Sequence, residues 1–401
     1  MVASVPPQHL HLRIDQVVAG GDGLAREAGG RVVFVPGVLP GEMVAVRLVT
    51  AKRDFARGEV VEVLEASPER VEPPCRARAR GCGGCDWQHL DPARQLDHKR
   101  AVVVEALRRT ARLADPVVEA GGSVPAWAYR TSMRVAVDRH GVPSLRRPRT
   151  NEPVPLEHCL VAHPQLDELL RDARFVGADE VSLRVSAATG ERTAWWTRSH
   201  PGDEVHVSLP TDVRTGPDAV VHERVAGRRL RVSGAAFFQS GPDAAALLVR
   251  TVRDVVGPIP AGARLVDAYG GVGLFATTLD AGSVTLVEGS RAACEDAQVN
   301  LADAAIDGRV VCANVEAWHP DPGPAPDVVV ADPSRQGLGP VAADVLAGAG
   351  ASLLVLVGCD PVAFARDVGL LAGHGYRLTR AVALDLFPQT HHVEVVGRFE
   401  R

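Results

Sequence analysis

Three apolar runs of strand length, each ending abruptly in glycine or polar residues, limit what this chain can fold into. The first is Arg264-Leu265-Val266-Asp267, which opens into Ala268-Tyr269-Gly270-Gly271-Val272-Gly273. The second is Val328-Val329-Val330-Ala331, followed by Asp332-Pro333-Ser334-Arg335-Gln336-Gly337. The third, Leu353 to Val357, runs into Gly358-Cys359-Asp360-Pro361. Runs without polar alternation read as strands buried on both faces, as in a parallel sheet. Gly358 and Pro361 stop the third strand, which puts Cys359 at its carboxyl end. In open α/β sheets that edge is where ligands bind. Three strands delivering polar and glycine residues to one edge make an active-site layout, with Cys359 as its nucleophile candidate.

The chain around these runs has 401 residues, too many for one ordinary core, so two or three domains are expected. Its hydrophobic share, 46%, and charged share, 23%, are those of a soluble globular protein. Lys52 and Lys99 are the only lysines, so arginine carries nearly all the positive charge. The net charge of −5 excludes a global positive field, and any nucleic-acid contact must rest on local patches. The N-terminus runs through Pro6 and Pro7 without the pattern of a signal peptide, and no apolar stretch is long enough to span a bilayer. A cytoplasmic protein with no membrane partner is expected, and a monomer. Seven cysteines argue against a secreted disulfide framework.

Residues 10–65 read as a small β-barrel, with strands at Leu12 to Val17, Arg31 to Val35, Met43 to Val49 and Glu59 to Leu64 between glycine turns. Such a set suits an OB-like barrel, a fold that often binds oligonucleotides. Balanced charge leaves a β domain without a ligand as an equal alternative. Next come Cys75, Cys82 and Cys85, spaced six and two residues apart around Gly83-Gly84, with Cys159 as a fourth soft ligand. A cytosolic set of this kind binds zinc or an iron–sulfur cluster, and spacing does not decide between them. His89 and His158 are possible ligands too, although lone histidines near such motifs are more often bystanders. Arg76, Arg78 and Arg80, then Arg146, Arg147 and Arg149, are candidates for phosphate contacts, against the alternative of solvated charge runs.

Residues 91–113 have a helical pattern carried by Leu96, Val103, Leu107 and Leu113. Residues 129–230 look mainly β, with strands at Tyr129 to Val137 and Glu180 to Val185. Trp195 and Trp196 are either a stacking surface or packing. From about 231 the pattern alternates strands and helices, as in a doubly wound sheet. Glu288, at the end of the strand after the glycine loop, is placed to accept hydrogen bonds from ribose hydroxyls. Gly271-Val272-Gly273 lacks the longer spacing of dinucleotide sites, which points toward S-adenosylmethionine over NAD. Asn314 can reach an adenine edge. Cys294 and Cys312 read as core or surface thiols. Near the end, Glu394 stands inside a strand pattern behind His391 and His392.

Taken together, these blocks resemble the RNA (uracil-5-)methyltransferases that use S-adenosylmethionine, over nearly the whole chain. The carrying residues are Phe237-Phe238-Gln239, the Asp-x-Tyr-x-Gly-x-Gly loop from Asp267, Asp332-Pro333-Ser334-Arg335, Cys359-Asp360-Pro361 and His392-Val393-Glu394, in family order. The resemblance implies a multidomain α/β protein. An N-terminal OB-like barrel of the TRAM type would take 1–70. A small α+β central domain would take 71–230, its helix over 91–113 able to pack on the last domain. A class I, Rossmann-like methyltransferase domain would take 231–401. It further implies a [4Fe-4S] cluster, ahead of zinc, on Cys75, Cys82, Cys85 and Cys159. Gln239, Tyr269, Glu288, Asn314 and Asp332 are implied contacts of the methyl donor.

By the same resemblance Cys359 is the nucleophile and Glu394 the base. Carbon 5 of uracil is a poor nucleophile, and a thiolate added at carbon 6 makes an enolate whose carbon 5 can take a methyl group. A base must then remove the carbon-5 proton. Only the thiolate is nucleophilic, and Arg335 is expected to help Cys359 ionise. A target inside folded RNA must be flipped out of its stack. The implied substrate is 23S rRNA, with transfer RNA as runner-up and an RNA-binding or RNA-folding protein as the alternative of another class. A dehydrogenase is disfavoured by the short glycine loop. Gly270, Ser334, Gly358 and Asp360 depart from the cysteine, proline, serine and asparagine usual in the family, and Ser240-Gly241 from Val-Asn.

Overall fold

The structure is a computed structural model that describes residues 9–198, 200, 202, 204–320 and 322–401; Pro6 and Pro7 lie outside the described residues. Strands Leu10–Val17, Gly23–Arg26, Val32–Val35, Met43–Ala51 and Phe55–Glu65 close into a barrel. Alternation sends Leu12, Ile14, Val33, Val35, Val44 and Val46 to its core, while His11, Arg13 and Asp15 between and beside the first two are exposed.

A six-stranded sheet follows, running from Val213–Thr215 through Arg192–Thr197, Glu180–Val185, Ser132–Val137 and Pro143–Arg146 to Pro153–Pro155. The helix Pro164–Asp172 packs against it through Leu166, Leu169 and Leu170. The Trp196 ring lies 5.6 Å from that of Phe175, so it serves packing rather than a stacking surface.

The large sheet has eight strands in the order Gly308–Cys312, Ser283–Glu288, Arg264–Ala268, Val328–Ala331, Leu353–Gly358, Glu394–Glu400, Arg377–Asp385, Glu119–Ser123. The first five are parallel. Their continuous apolar runs have a direct cause, since alternate residues enter two cores. Val328, Val330, Val355 and Val357 pack with Leu248 and Val252 of the helix Pro242–Val256. Val329, Leu354 and Leu356 pack on the other face with Phe364 and Ala365 of the helix Pro361–Gly373.

Two expectations change here. Leu353–Gly358 is parallel to Val328–Ala331 but antiparallel to Glu394–Glu400, because the last hairpin folds back beside it. The helix Pro92–Arg109 packs on the large sheet, as expected of the 91–113 pattern, and the strand Glu119–Ser123, which falls within 71–230, joins that sheet as well. Glu119–Ser123 is its edge strand, parallel to Arg377–Asp385. The helix is capped by Asp91, whose Oδ1 accepts from the Ala93 amide at 2.9 Å, and buries Val103, Ala106 and Leu107 in the second core. Its Lys99, with no exposed surface, reaches Asp385 Oδ1 at 2.5 Å. No helix among the described residues is long and apolar enough to cross a membrane.

Candidate active site

Strand order reverses between Arg264–Ala268 and Val328–Ala331, and a crevice at such a switch point is the ligand position of an open α/β sheet. The Asp332 amide bridges it by donating to the Ala268 carbonyl at 3.2 Å. On the Arg264–Ala268 side the chain turns sharply. Gly271 and Gly273 have φ of 54° and 88°, and Tyr269 itself is left-handed at 59°. An aromatic residue pays strain there, which the surrounding loop must hold. The Tyr269 hydroxyl donates to Glu316 Oε1 at 3.3 Å.

Glu288, at the end of the next strand, accepts from the Gly271 amide at 3.0 Å and from the Ser290 amide at 2.6 Å. It therefore shapes the glycine loop as well as facing outward. Asn314 is exposed, with its Oδ1 against the Gly289 backbone, where a Cβ would come within 2.4 Å. Asp267, fully buried at the root of the loop, was not singled out from sequence. Its Oδ2 accepts from the Ala276 amide at 2.7 Å, and its Oδ1 has no partner. The signal was present, since Asp267 opens the quoted glycine-loop motif.

Across the crevice, Cys359 follows its strand and is half-buried. Asp360 Oδ1 caps the next helix, accepting from the Val362 and Ala363 amides at 2.9 and 2.8 Å. Val395 pairs with Gly358, which brings Glu394 alongside Cys359. Glu394 is 4% exposed. Gln239 Nε2 reaches Asp332 Oδ2 at 3.4 Å, a long contact. Arg335 shares a small cavity with Cys359, Asp360 and Asp367. Cys359, Glu394, Asp332 and Gln239 are thus brought together, and Tyr269, Glu288 and Asn314 line the adjoining strand ends. Gly270 and Gly358 are required by packing: a Cβ would meet Leu286 Cγ at 2.5 Å and Phe364 Cδ2 at 2.9 Å.

These side chains favour their neutral forms. Burial, then Glu394 and Asp332, push the Cys359 thiol up to about 12, against the opposing pull of Arg335. Burial, then Asp332, raise Glu394 well above the carboxylate range. Burial lifts Asp332 to about 7. Burial also lifts Asp267 to about 7, aided by Asp332 and Glu288 and opposed by the Ala276 amide. The expectation that Arg335 ionises Cys359 holds in direction but not in outcome, because desolvation and two carboxyls outweigh one guanidinium. A cation brought among these groups would reverse the balance. The unpartnered Asp267 Oδ1 and the acidic strand ends suit a donor that carries positive charge and ribose hydroxyls.

Cys75, Cys82, Cys85 and Cys159 line a separate cavity of about 50 Å³, with Arg78, Gln88 and Arg130. Burial pushes Cys85 up to about 11; burial and then Cys85 push Cys159 up to about 12. His158 also lines the cavity, but its Nδ1 is engaged by Asp167 Oδ2 at 2.6 Å. Among the described residues no three His, Cys, Asp or Glu side chains are arranged to hold a single metal ion, so the zinc geometry is not formed. Four sulfurs around one cavity remain compatible in kind and number with a larger group. Cys294 is buried and Cys312 exposed. The arginine clusters are largely paired: Arg80 with Glu157, Arg146 with Glu180, Arg147 with Glu152 and Arg149 with Asp22.

Comparison with known proteins adds to this geometry. The TRAM domain model matches residues 11–61, within the closed barrel. A Streptomyces avermitilis protein named as an uncharacterized RNA methyltransferase is 38% identical over 432 residues, covering 98% of this chain and 98% of its own length. The 23S rRNA (uracil(1939)-C(5))-methyltransferase RlmD of Chromohalobacter salexigens is 31% identical, covering 96% of this chain and 87% of its own. The crystal structure of the Pyrococcus abyssi tRNA (uracil-54, C5)-methyltransferase, in complex with S-adenosyl-L-homocysteine, superposes with a TM-score of 0.73. It is 24% identical and covers 97% of this chain and 99% of its own, a likeness of fold.

Proposed function

This chain belongs to the RNA methyltransferase family, and we propose that it methylates carbon 5 of a uridine in 23S rRNA, using S-adenosylmethionine. The observation that carries the reading is the convergence of Cys359, Glu394 and Asp332 at one strand edge, a thiol, a buried carboxyl and a half-buried one at the switch point. The choice of ribosomal over transfer RNA rests on the RlmD relative.

S-adenosylmethionine supplies an electrophilic methyl group on a cationic sulfur. Gln239, Tyr269, Glu288, Asn314 and Asp332 would hold it, with Asp332 nearest the target base. Cys359 adds as thiolate to carbon 6, and the electrons of the 5,6 double bond pass to carbon 5 and the carbonyl at carbon 4. Arg335 is the guanidinium available to the charge that develops on that carbonyl. Carbon 5 takes the methyl group, whose bond to the donor's sulfur breaks with the electron pair left on that sulfur. Glu394, which would ionise when the cationic donor binds among these groups, then accepts the carbon-5 proton, the double bond re-forms, and the Cys359 sulfur leaves as thiolate. Cys75, Cys82, Cys85 and Cys159 would hold a [4Fe-4S] cluster in a structural role, tying the 75–85 loop to residue 159. The barrel offers the RNA a second surface.

The test is transfer of labelled methyl groups to separated, undermethylated ribosomal and transfer RNA, with nucleoside analysis for 5-methyluridine. Label in the 23S pool, lost by at least about 10⁴-fold in Cys359→Ala, is the expected result. Label confined to transfer RNA would move the substrate to the runner-up. Label in neither pool, or in another nucleoside, would overturn the reading.

A further inference from the structure

His391 and Asp86, far from each other in sequence, are joined in space beside His392, the residue that reaches Arg335. The Asp86 carboxylate accepts twice from one residue, from the His391 amide at 3.1 Å and from its Nδ1 at 2.5 Å. The pair is closed from the barrel side by the turn at Gly21, where a Cβ would lie 2.7 Å from His391 Cβ and 2.9 Å from Asp86 Oδ2. Only glycine fits there, and its φ of 84° independently favours glycine. Trp87 ties the same turn down, its Nε1 donating to the Gly21 carbonyl at 3.3 Å.

What this contact holds is legible from its far side. The His391 ring lies 4.2 Å from that of His392, centroid to centroid, and His392 Nε2 is 3.4 Å from Arg335 Nη2. Burial, then His391 and Arg335, push His392 down to about 3, so it is neutral at working pH. Arginine only donates, so the Nε2 facing it is the acceptor. Glu394 is secured differently: its strand is hydrogen-bonded on both sides, to Leu384 and through Val395 to Gly358. His392 lies outside that strand, and the ring beside it is the one Asp86 fixes.

Resting on the methyltransferase reading above, we propose that Asp86 and His391 are positioning residues that, with the barrel turn at Gly21, hold His392 against Arg335 and so set the reactivity of Cys359. The N-terminal barrel is thereby mechanically linked to the nucleophile. The charged groups facing Cys359 are Glu394, Asp332 and Arg335, and Asp367 nearby is turned to the Leu338 and Gly339 amides. A looser Arg335 therefore leaves the two carboxyls less opposed, and the thiol becomes harder to ionise.

The experiment measures alkylation of Cys359 by iodoacetamide against pH in the full chain, identified by peptide mass, beside kcat and KM for RNA. Asp86→Asn, His391→Ala and Gly21→Ala are compared with wild type, each checked by thermal melting. His391→Asn, which keeps a donor toward Asp86 but loses the ring, separates the two contacts. Expected is alkylation about three- to tenfold slower at a given pH, with the profile moved to higher pH, since one pKa unit is tenfold in thiolate. kcat falls about tenfold while KM changes less than about threefold, within what a misplacement of about 1 Å costs. In an Arg335→Gln background the same substitutions add nothing. Unchanged alkylation profiles, or losses that add in full on Arg335→Gln, would overturn the proposal. Alkylation needs no RNA, so it decides the positioning role even where wild type fails to methylate uridine.

Discussion

Two cavities of this molecule hold thiols that keep their protons about equally tightly, and surround them differently. At the carboxyl edge of the large sheet, Cys359 is pushed up to about 12 by burial and by Glu394 and Asp332. In the cysteine cavity, Cys159 is pushed equally far by burial and Cys85, and Arg130 opposes both Cys85 and Cys159. One thiol therefore has carboxyls beside it, and the others have mainly one another. A lone thiol next to carboxyls can exchange its proton during a reaction; four thiols around one cavity lose theirs together to a cationic metal group. The comparison teaches that thiol acidity alone does not separate nucleophile from ligand. The neighbours do.

The largest effect that would break this distinction is at Asp332. Asp332→Asn removes a carboxyl that faces both the thiol and Glu394, and methyl transfer should fall by about 10²–10³-fold. The same substitution should speed alkylation of Cys359 above about pH 7, where Asp332 carries charge. Opposite signs in the two assays are the prediction. Parallel changes would mean that Asp332 acts on folding rather than on charge.

The cysteine cavity should respond in another way. Cys159→Ser should abolish iron content and the visible absorption of reconstituted protein and lower stability by about 2–4 kcal/mol, measured by denaturant unfolding. In the fraction that stays folded, kcat should change less than about threefold. A loss of kcat at intact stability would tie the cavity to chemistry and blur the contrast.

A smaller effect sharpens the electrostatics of the catalytic edge. The Asp267 carboxyl ionises near 7 in the folded chain against an ordinary 3.8, so between these values the folded state binds more protons than the unfolded one. Its stabilising contribution is complete below about pH 4 and is lost as pH rises through about 7. Asp267→Asn keeps an acceptor for the Ala276 amide and cannot ionise. Between pH 5 and 8 the melting temperature of wild type should therefore fall several degrees further than that of the variant. Parallel curves would contradict the shift.

The strand-end positions of Cys359, Asp332 and Glu288 were legible because each follows or ends a strand whose apolar run marks it, while the roles proposed for them and for Glu394 came from the resemblance. The same runs were silent about strand direction. Leu353–Gly358 is buried on both faces whether its neighbour is parallel or antiparallel, so the fold-back of Glu394–Glu400 left no trace in its pattern. Glu119–Ser123 was missed for another reason: the sequence Glu-Ala-Gly-Gly-Ser at a sheet edge has neither apolar content nor alternation. The Asp86–His391 contact spans 305 positions and joins two ordinary polar residues, which no local signal could pair. Arg335 was legible as a cation near Cys359, but the sign of the net shift depends on how deeply Glu394 is buried, a property of the assembled core.

The most direct test of the account is covalent trapping with RNA in which uridine is replaced by 5-fluorouridine. Fluorine at carbon 5 leaves no proton for Glu394 to remove, so the methylated adduct cannot be released. A protein–RNA adduct stable to denaturation, linked through the peptide that contains Cys359 and absent in Cys359→Ala, is the predicted result. Formation of 5-methyluridine from ordinary RNA with no adduct on the fluorinated one, or an adduct through another cysteine, would contradict it.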